Sequence, residues 1–249
     1  MVLEACVNSA ISAIEAEKGG ADRVELCENM HDGGTTPGAG SIIYARKHLK
    51  IPVFVMIRPR GADFLYSDEE FAIMQEDVIM AKQLGADGVV SGILKPDGSI
   101  DADRMHRLIG LARPMGFTCH RAFDMTADPL MAMDDLIRLG VDRILTSGQS
   151  DNALQGAPLI RELILRAAKR IIIMPGHGVK EHNLAEVIHE TGAEEVHLYL
   201  AKQVKSNMVF ARKQVSMGAA GSEEYKYTLV DRERIQKAKH IIQNSKFKK

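Results

Sequence analysis

An α/β barrel of eight strand–helix units is what this 249-residue sequence predicts, and three observations carry it. Short apolar runs alternate with amphipathic segments along the chain, the pattern of a parallel sheet wrapped in helices. Several strands follow a glycine stop, as at Leu84-Gly85-Ala86, Leu139-Gly140-Val141 and Thr191-Gly192-Ala193. No Gly-x-Gly-x-x-Gly follows the first strand, which argues against a doubly wound dinucleotide fold.

The first strand spans residues 2–7, and Asn8 or Ser9 caps a helix that runs to residue 18 and stops at Gly19-Gly20. Strand two covers residues 22–27; after a Gly/Thr/Pro-rich loop a helix occupies about 41–48. Strand three covers 52–58 and leads to a long helix capped by Ser67 or Asp68. Glu69 and Glu70 suit the positive end of that helix dipole. Strand four (88–94) precedes a helix over about 101–112, strand five (116–123) one over 128–139, and strand six (143–147) one over 157–168. Strand seven (170–174) ends in the turn Pro175-Gly176-His177-Gly178, with a helix near 183–191; strand eight (195–200) and a helix over about 231–244 finish the series. The units make a single domain over residues 1–249, with no linker. Two connections are long, at about 28–40 and 201–230. Both follow a strand, so both belong to the carboxyl face where barrel sites are built. The Met, Val and Phe content of the second suits either a lid or a subunit contact.

A net charge of -1 with 26% charged residues excludes a broadly basic surface for nucleic acid or anionic membrane. Lys246-Phe247-Lys248-Lys249 reads as a solvated tail. Three cysteines without a Cys-x-x-Cys pair point to free thiols in a reducing compartment. The first twenty residues lack the basic start and apolar core of a secretory signal. No apolar run approaches the ~20 residues needed to span a bilayer. The cytoplasm is the expected location.

The chemistry is concentrated at the strand ends. Along residues 21–27, Arg23, Glu25 and Cys27 alternate with Val24 and Leu26, and Glu25-Leu26-Cys27 repeats Glu4-Ala5-Cys6 as Glu-x-Cys. With the aliphatic faces turned to the helices, the interior receives Glu4, Cys6, Arg23, Glu25, Cys27, Met56, Arg58, Arg60, His120 and His197. Such charges must be paired, either as a structural layer plugging the barrel or as a working site. Arg121 and Asp124 lie just beyond strand five, and Thr146, Ser147 and Gln149 beyond strand six. Arg58, Arg60 and Arg121, with the backbone of Gly176 and Gly178, form a candidate anion site. In an enzyme His120 would be the acid/base and Glu25 or Asp124 its carboxylate partner, but no reaction is assigned. Cys119 alternates with His120 and should face a helix; Met208 and Met217 read as packing residues, and His31, Asp32 and His177 as loop residues.

The motifs EACVNS, GGADRVELC with GGTTPG, RPRGADFLYSDEEF, GADGVVSGIL, HRAFDM, ILTSGQ and IMPGHGV occur in an order that resembles the CutC copper-homeostasis family through residues 1–200. The resemblance implies a cytosolic TIM barrel, often a homo-oligomer, linked to copper handling. It also implies Cu(I) ligands at the thiols matching Cys6 and Cys27. The spacing is compatible: parallel strands lie ~4.8 Å apart, and a linear S–Cu–S unit with bonds of ~2.3 Å spans about 4.6 Å. Cu(I) prefers such soft, low-coordinate surroundings, whereas tetrahedral zinc would want two further ligands, one of which His120 could supply although nothing in the spacing requires it. The expected function is Cu(I) buffering or trafficking. The alternatives are an enzyme of a small phosphorylated or carboxylated substrate, and a barrel whose oligomer surface matters while its mouth is vestigial.

Overall fold

Eight apolar runs become eight parallel strands because each has one aliphatic face to bury against helices. They are β1 (Val2–Val7), β2 (Arg23–Leu26), β3 (Val53–Met56), β4 (Gly88–Ser91), β5 (Gly116–Cys119), β6 (Arg143–Thr146), β7 (Ile172–Pro175) and β8 (Glu195–Leu198). The computed structural model describes residues 1–212, 214–215, 217 and 223–245. The lysine-rich tail read at residues 246–249 and part of the 201–230 connection lie outside the described residues.

Ladder hydrogen bonds run in the order β7-β6-β5-β4-β3-β2-β1-β8. Among the described residues no ladder joins β7 to β8, although the two strands are neighbours, so the TIM barrel is nearly closed. Its outer ring is α1 (Ala10–Lys18), α2 (Ala39–His48), α3 (Asp68–Gln83), α4 (Ala102–Ala112), α5 (Pro129–Arg138), α6 (Ala157–Ala167), α7 (Leu184–Thr191) and α8 (Arg232–Ser245). Ser9 accepts from the Ser12 N–H, Ser67 and Glu70 form a capping box, and Asp101 and Asp128 cap α4 and α5. Each such cap stabilises its helix by about 1 kcal/mol.

Several strands are shorter than the sequence suggests, because their carboxyl ends leave the ladder to build the mouth. After β5 the chain turns at once into a 3-10 helix, Arg121–Met125, whose first free N–H, from Ala122, is accepted by His120 Nδ1. Within the 201–230 connection, expected to be a loop, lies a hairpin, β9 (Ala201–Lys205) paired antiparallel with β10 (Lys226–Val230). It is anchored where β1 meets α1: Asn8 Nδ2 donates to Thr228 O (3.0 Å) and Val230 N–H to Ser12 Oγ (3.1 Å). Met208 and Met217, expected to pack, are exposed, as are Val209 and Phe210.

Among the described residues there are two apolar clusters. The large one, between sheet and helices, includes Leu3, Val24, Val55, Phe117 and Cys119. The small one fills the interior with Cys6, Cys27, Phe54, Met56 and Val90. Phe54 reaches across the barrel because β4 and β5 both present glycine to it. A Cβ on Gly88 would meet the Phe54 ring at 2.5 Å, and one on Gly116 at 2.8 Å. Gly88→Ala is therefore expected to cost about 1–3 kcal/mol, the usual penalty of overpacking. An unchanged urea midpoint would show that the ring has room to move.

Candidate functional site

The interior is built in levels. At its base an ion layer joins strands distant in sequence. Arg23 donates through Nε to Glu4 and through Nη2 to Glu195 Oε2 (2.6 Å); Arg143 Nε donates to the same Glu195 oxygen (2.6 Å). The two guanidinium groups lie 5.0 and 5.5 Å from the Phe54 ring centre. Glu4 also meets His197 Nδ1 at 2.8 Å, while His197 Nε2 is 3.7 Å from Glu25 Oε2. Burial alone would raise the Glu4 carboxyl, but Arg23 and His197 hold it down at about 2. Burial would lower the His197 imidazole, yet Glu25, with Cys6 and Glu4, raises it well above its ordinary value. Glu25, with fewer partners, is raised by burial. For Glu4 and Arg23 the plugging layer is the arrangement observed.

Above this layer sit the thiols. Cys6 is level with Glu25 in the β1–β2 register, and Cys27 follows β2 directly. Their sulfurs are 3.6 Å apart: not bonded, and about 1 Å closer than a linear S–metal–S unit with ~2.3 Å bonds requires. The hydrogen bond with Cys27 and burial push the Cys6 thiol well above its ordinary pKa. Glu25 completes a group whose ligand atoms all lie within 4.8 Å of one another; His120 is not part of it. The loop after β2 closes over the sulfurs. Gly34, at φ +92°, would place a Cβ 3.5 Å from Cys27 Sγ, and Met30 lays its sulfur 3.3 Å from that atom.

Arg58 holds this loop in place. Its Nη1 donates to Asp32 O (2.7 Å) and Gly34 O (2.9 Å), and its Nη2 to Ala62 O (2.8 Å). Arg58, expected to serve an anion, therefore clamps the loop through its two terminal nitrogens, while its Nε has no partner among the described residues. Arg60 turns away from the mouth to Glu70 (2.6 Å) and Asp63 (3.3 Å). Arg121 lines the mouth but is held by Asp124 (2.8 Å) and Ser147 Oγ (2.9 Å). Gly176 donates its N–H to Thr146 O (2.9 Å) and is not part of the cavity wall, which His177 and Gly178 of that turn do reach. Asp124 accepts from Arg121, Thr146, Ser147 and Gln149, which ties the β5 and β6 ends together and separates it from catalytic pairing with His120.

The mouth itself is a cavity of about 520 Å³ whose walls include Cys6, Glu25, Met30, Arg58, His120 and Lys180. Three of these carry a buried atom without a hydrogen-bond partner, Glu25 Oε1, Arg58 Nε and His120 Nε2. Burial, then Arg58, lowers His120 to about 3; with Nδ1 accepting from Ala122, the neutral ring carries its proton on Nε2. Cys119 faces the helices as expected, its thiol pushed up to about 12 by burial. Met30, Lys180, Glu195 and Arg143 were missed by the sequence reading. Only Met30 had a signal, the spacing Cys27-x-x-Met30, which one tight turn folds back onto the thiol.

The CutC family model matches residues 1–202. The chain belongs to the CutC family. A human relative named copper homeostasis protein cutC homolog is 45% identical over 98% of this chain and 89% of its own length. A CutC family protein of Parabacteroides distasonis is 49% identical over 94% of this chain and 97% of its own. Among solved structures, one from Streptococcus agalactiae named for copper homeostasis and CutC superposes with a TM-score of 0.76 at 36% identity, over 79% of this chain and 97% of that one. Among the described residues no helix is long and apolar enough to cross a membrane.

Proposed function

We propose that this CutC protein serves copper homeostasis by binding Cu(I) through Cys6 and Cys27 and buffering it or handing it on in the cytoplasm. The observation that carries the reading is the pair of buried, unbonded thiols 3.6 Å apart, of which Cys6 lines the mouth cavity. The names of the human and mouse relatives support a copper role. The donor set fits a soft ion, with two sulfurs facing each other and an imidazole already engaged by Glu4. Free thiols of this kind suit a reducing compartment. A homo-oligomer is part of the same proposal, with the exposed Met208–Phe210 stretch as its apolar surface.

A small-anion enzyme is the weaker reading, because Arg58, Arg60 and Arg121 are engaged by carbonyls and carboxylates. Anaerobic Cu(I) titration against a competing chelator separates the two. Wild-type protein is expected to bind one ion tightly, and Cys6→Ser/Cys27→Ser to lose that binding. Because the ion binds thiolate, affinity should rise with pH toward the raised Cys6 pKa. Binding unchanged in the double variant would sink the thiol site.

A further inference from the structure

The loop that covers the thiols is built to place one atom. It leaves β2 at Cys27, passes through Asn29 at φ +49°, makes a 3-10 turn over Met30–Asp32, and leaves that turn through Gly33 at φ +82°. Left-handed residues at both ends fold the turn back over the barrel axis. A bridge between Glu28 and Thr35 closes its base, and the Arg58 clamp fixes its far side through Asp32 O and Gly34 O. Met30 is the residue this arrangement turns inward. Its sulfur lies 3.3 Å from Cys27 Sγ and 4.0 Å from Cys6 Sγ, with the two thiols 3.6 Å apart.

These three distances define a triangle. The circle through its corners has a radius of about 2.1 Å, against a metal–thiolate bond of ~2.3 Å. An ion slightly out of the sulfur plane would be at bonding distance from all three corners at once. Two sulfurs 3.6 Å apart are, by contrast, too close for the linear geometry that a two-thiol site alone would take.

We propose that Met30 is a third ligand, so that Cys6, Cys27 and Met30 form a three-sulfur site selective for a soft monovalent ion. The proposal rests on the Cys6/Cys27 reading and adds to it coordination number and selectivity. A thioether is neutral and soft, so it favours Cu(I) over Zn(II), for which the nearby Glu25 carboxylate is the better third ligand. The Arg58 clamp is then a positioning group, holding the Met30 turn at the distance the ion requires.

The test uses the full chain with Cu(I) alone, then Zn(II) alone, in anaerobic chelator competition, and X-ray absorption to count sulfur neighbours. Wild-type protein is expected to show three sulfurs around Cu(I). Met30→Leu, close in volume, should show two, with Cu(I) affinity lowered about tenfold, the lower end of what removing a group around a metal site costs. Its Zn(II) affinity should be unchanged. Selenomethionine-labelled wild-type protein gives a readout without mutation, since a copper–selenium contact is expected at the selenium edge. Wild-type affinity and sulfur count in Met30→Leu, or no copper–selenium contact, would overturn the third ligand while leaving the thiol pair standing. Full binding in Cys6→Ser/Cys27→Ser would instead overturn the reading beneath it.

Discussion

Arg23→Met is expected to lower the stability of the fold by about 3–5 kcal/mol, the range for stripping one partner from a buried charge network. Arg23 is 6% exposed and bridges Glu4 on β1 to Glu195 on β8. Methionine keeps an apolar chain against the Phe54 ring but leaves both carboxylates short of a partner. Arg143 still holds Glu195 and His197 still holds Glu4, so neither acid is wholly abandoned. Each nevertheless stays buried, and desolvation dominates there. Urea unfolding of the two proteins measures the difference. A loss below about 1 kcal/mol would mean that the remaining groups repack around the missing charge. Replacing the whole layer with apolar residues of similar volume is a different experiment and is expected to be far less costly, since no unpaired ion remains.

That layer also shows where the sequence was legible and where it was not. Strand–helix alternation and inward-facing polar residues were readable because period-two patterning and helix stops are local. Ser67 was visible as a candidate cap for the same reason, while Asp101 and Asp128, read only as helix starts, prove to cap α4 and α5. The repeated Glu-x-Cys put Cys6 and Cys27 on one inner face, and the fold brings them together. What the sequence did not show was how each charge is satisfied. Arg58, Arg60 and Arg121 read as a cationic mouth because composition records charge but not partners. Their partners are mainly backbone carbonyls at Asp32, Gly34 and Ala62, and carboxylates at Glu70 and Asp124, set by loop conformation. Arg143 and Glu195 escaped notice because they sit at strand starts, and only closure of the barrel makes them neighbours. The β9–β10 hairpin was missed because Ala201–Lys205 contains too few apolar residues for alternation to stand out.

His120 should make the protein acid-sensitive on its own account. Its folded-state pKa is lowered from 6.5 to about 3, by burial first and Arg58 second. The unfolded chain therefore takes up a proton as pH falls through about 6.5, while the folded chain does not until about 3. Stability is lost across that window at roughly 1 kcal/mol per pH unit, on the order of 4 kcal/mol in all. Three other buried groups shape the same curve. Glu4, lowered from 4.5 to about 2, contributes stability above 4.5 that is lost as pH falls through 2, so it adds to the acid sensitivity only below about 4.5. His197, raised well above 6.5, contributes stability that is complete below 6.5 and fades as pH rises through its folded-state pKa. It does not titrate in either state much below about pH 6. Glu25, raised by burial, works against Glu4, since protonating it on acidification relieves a cost. Urea titrations between about pH 6 and 5 therefore isolate His120 best. His120→Gln is expected to flatten the loss of stability in that interval by nearly one proton's worth, whatever its own starting stability. Parallel curves for the two proteins would mean that His120 takes its proton in the folded barrel without penalty, and that the mouth around Arg58 is wetter than its packing indicates.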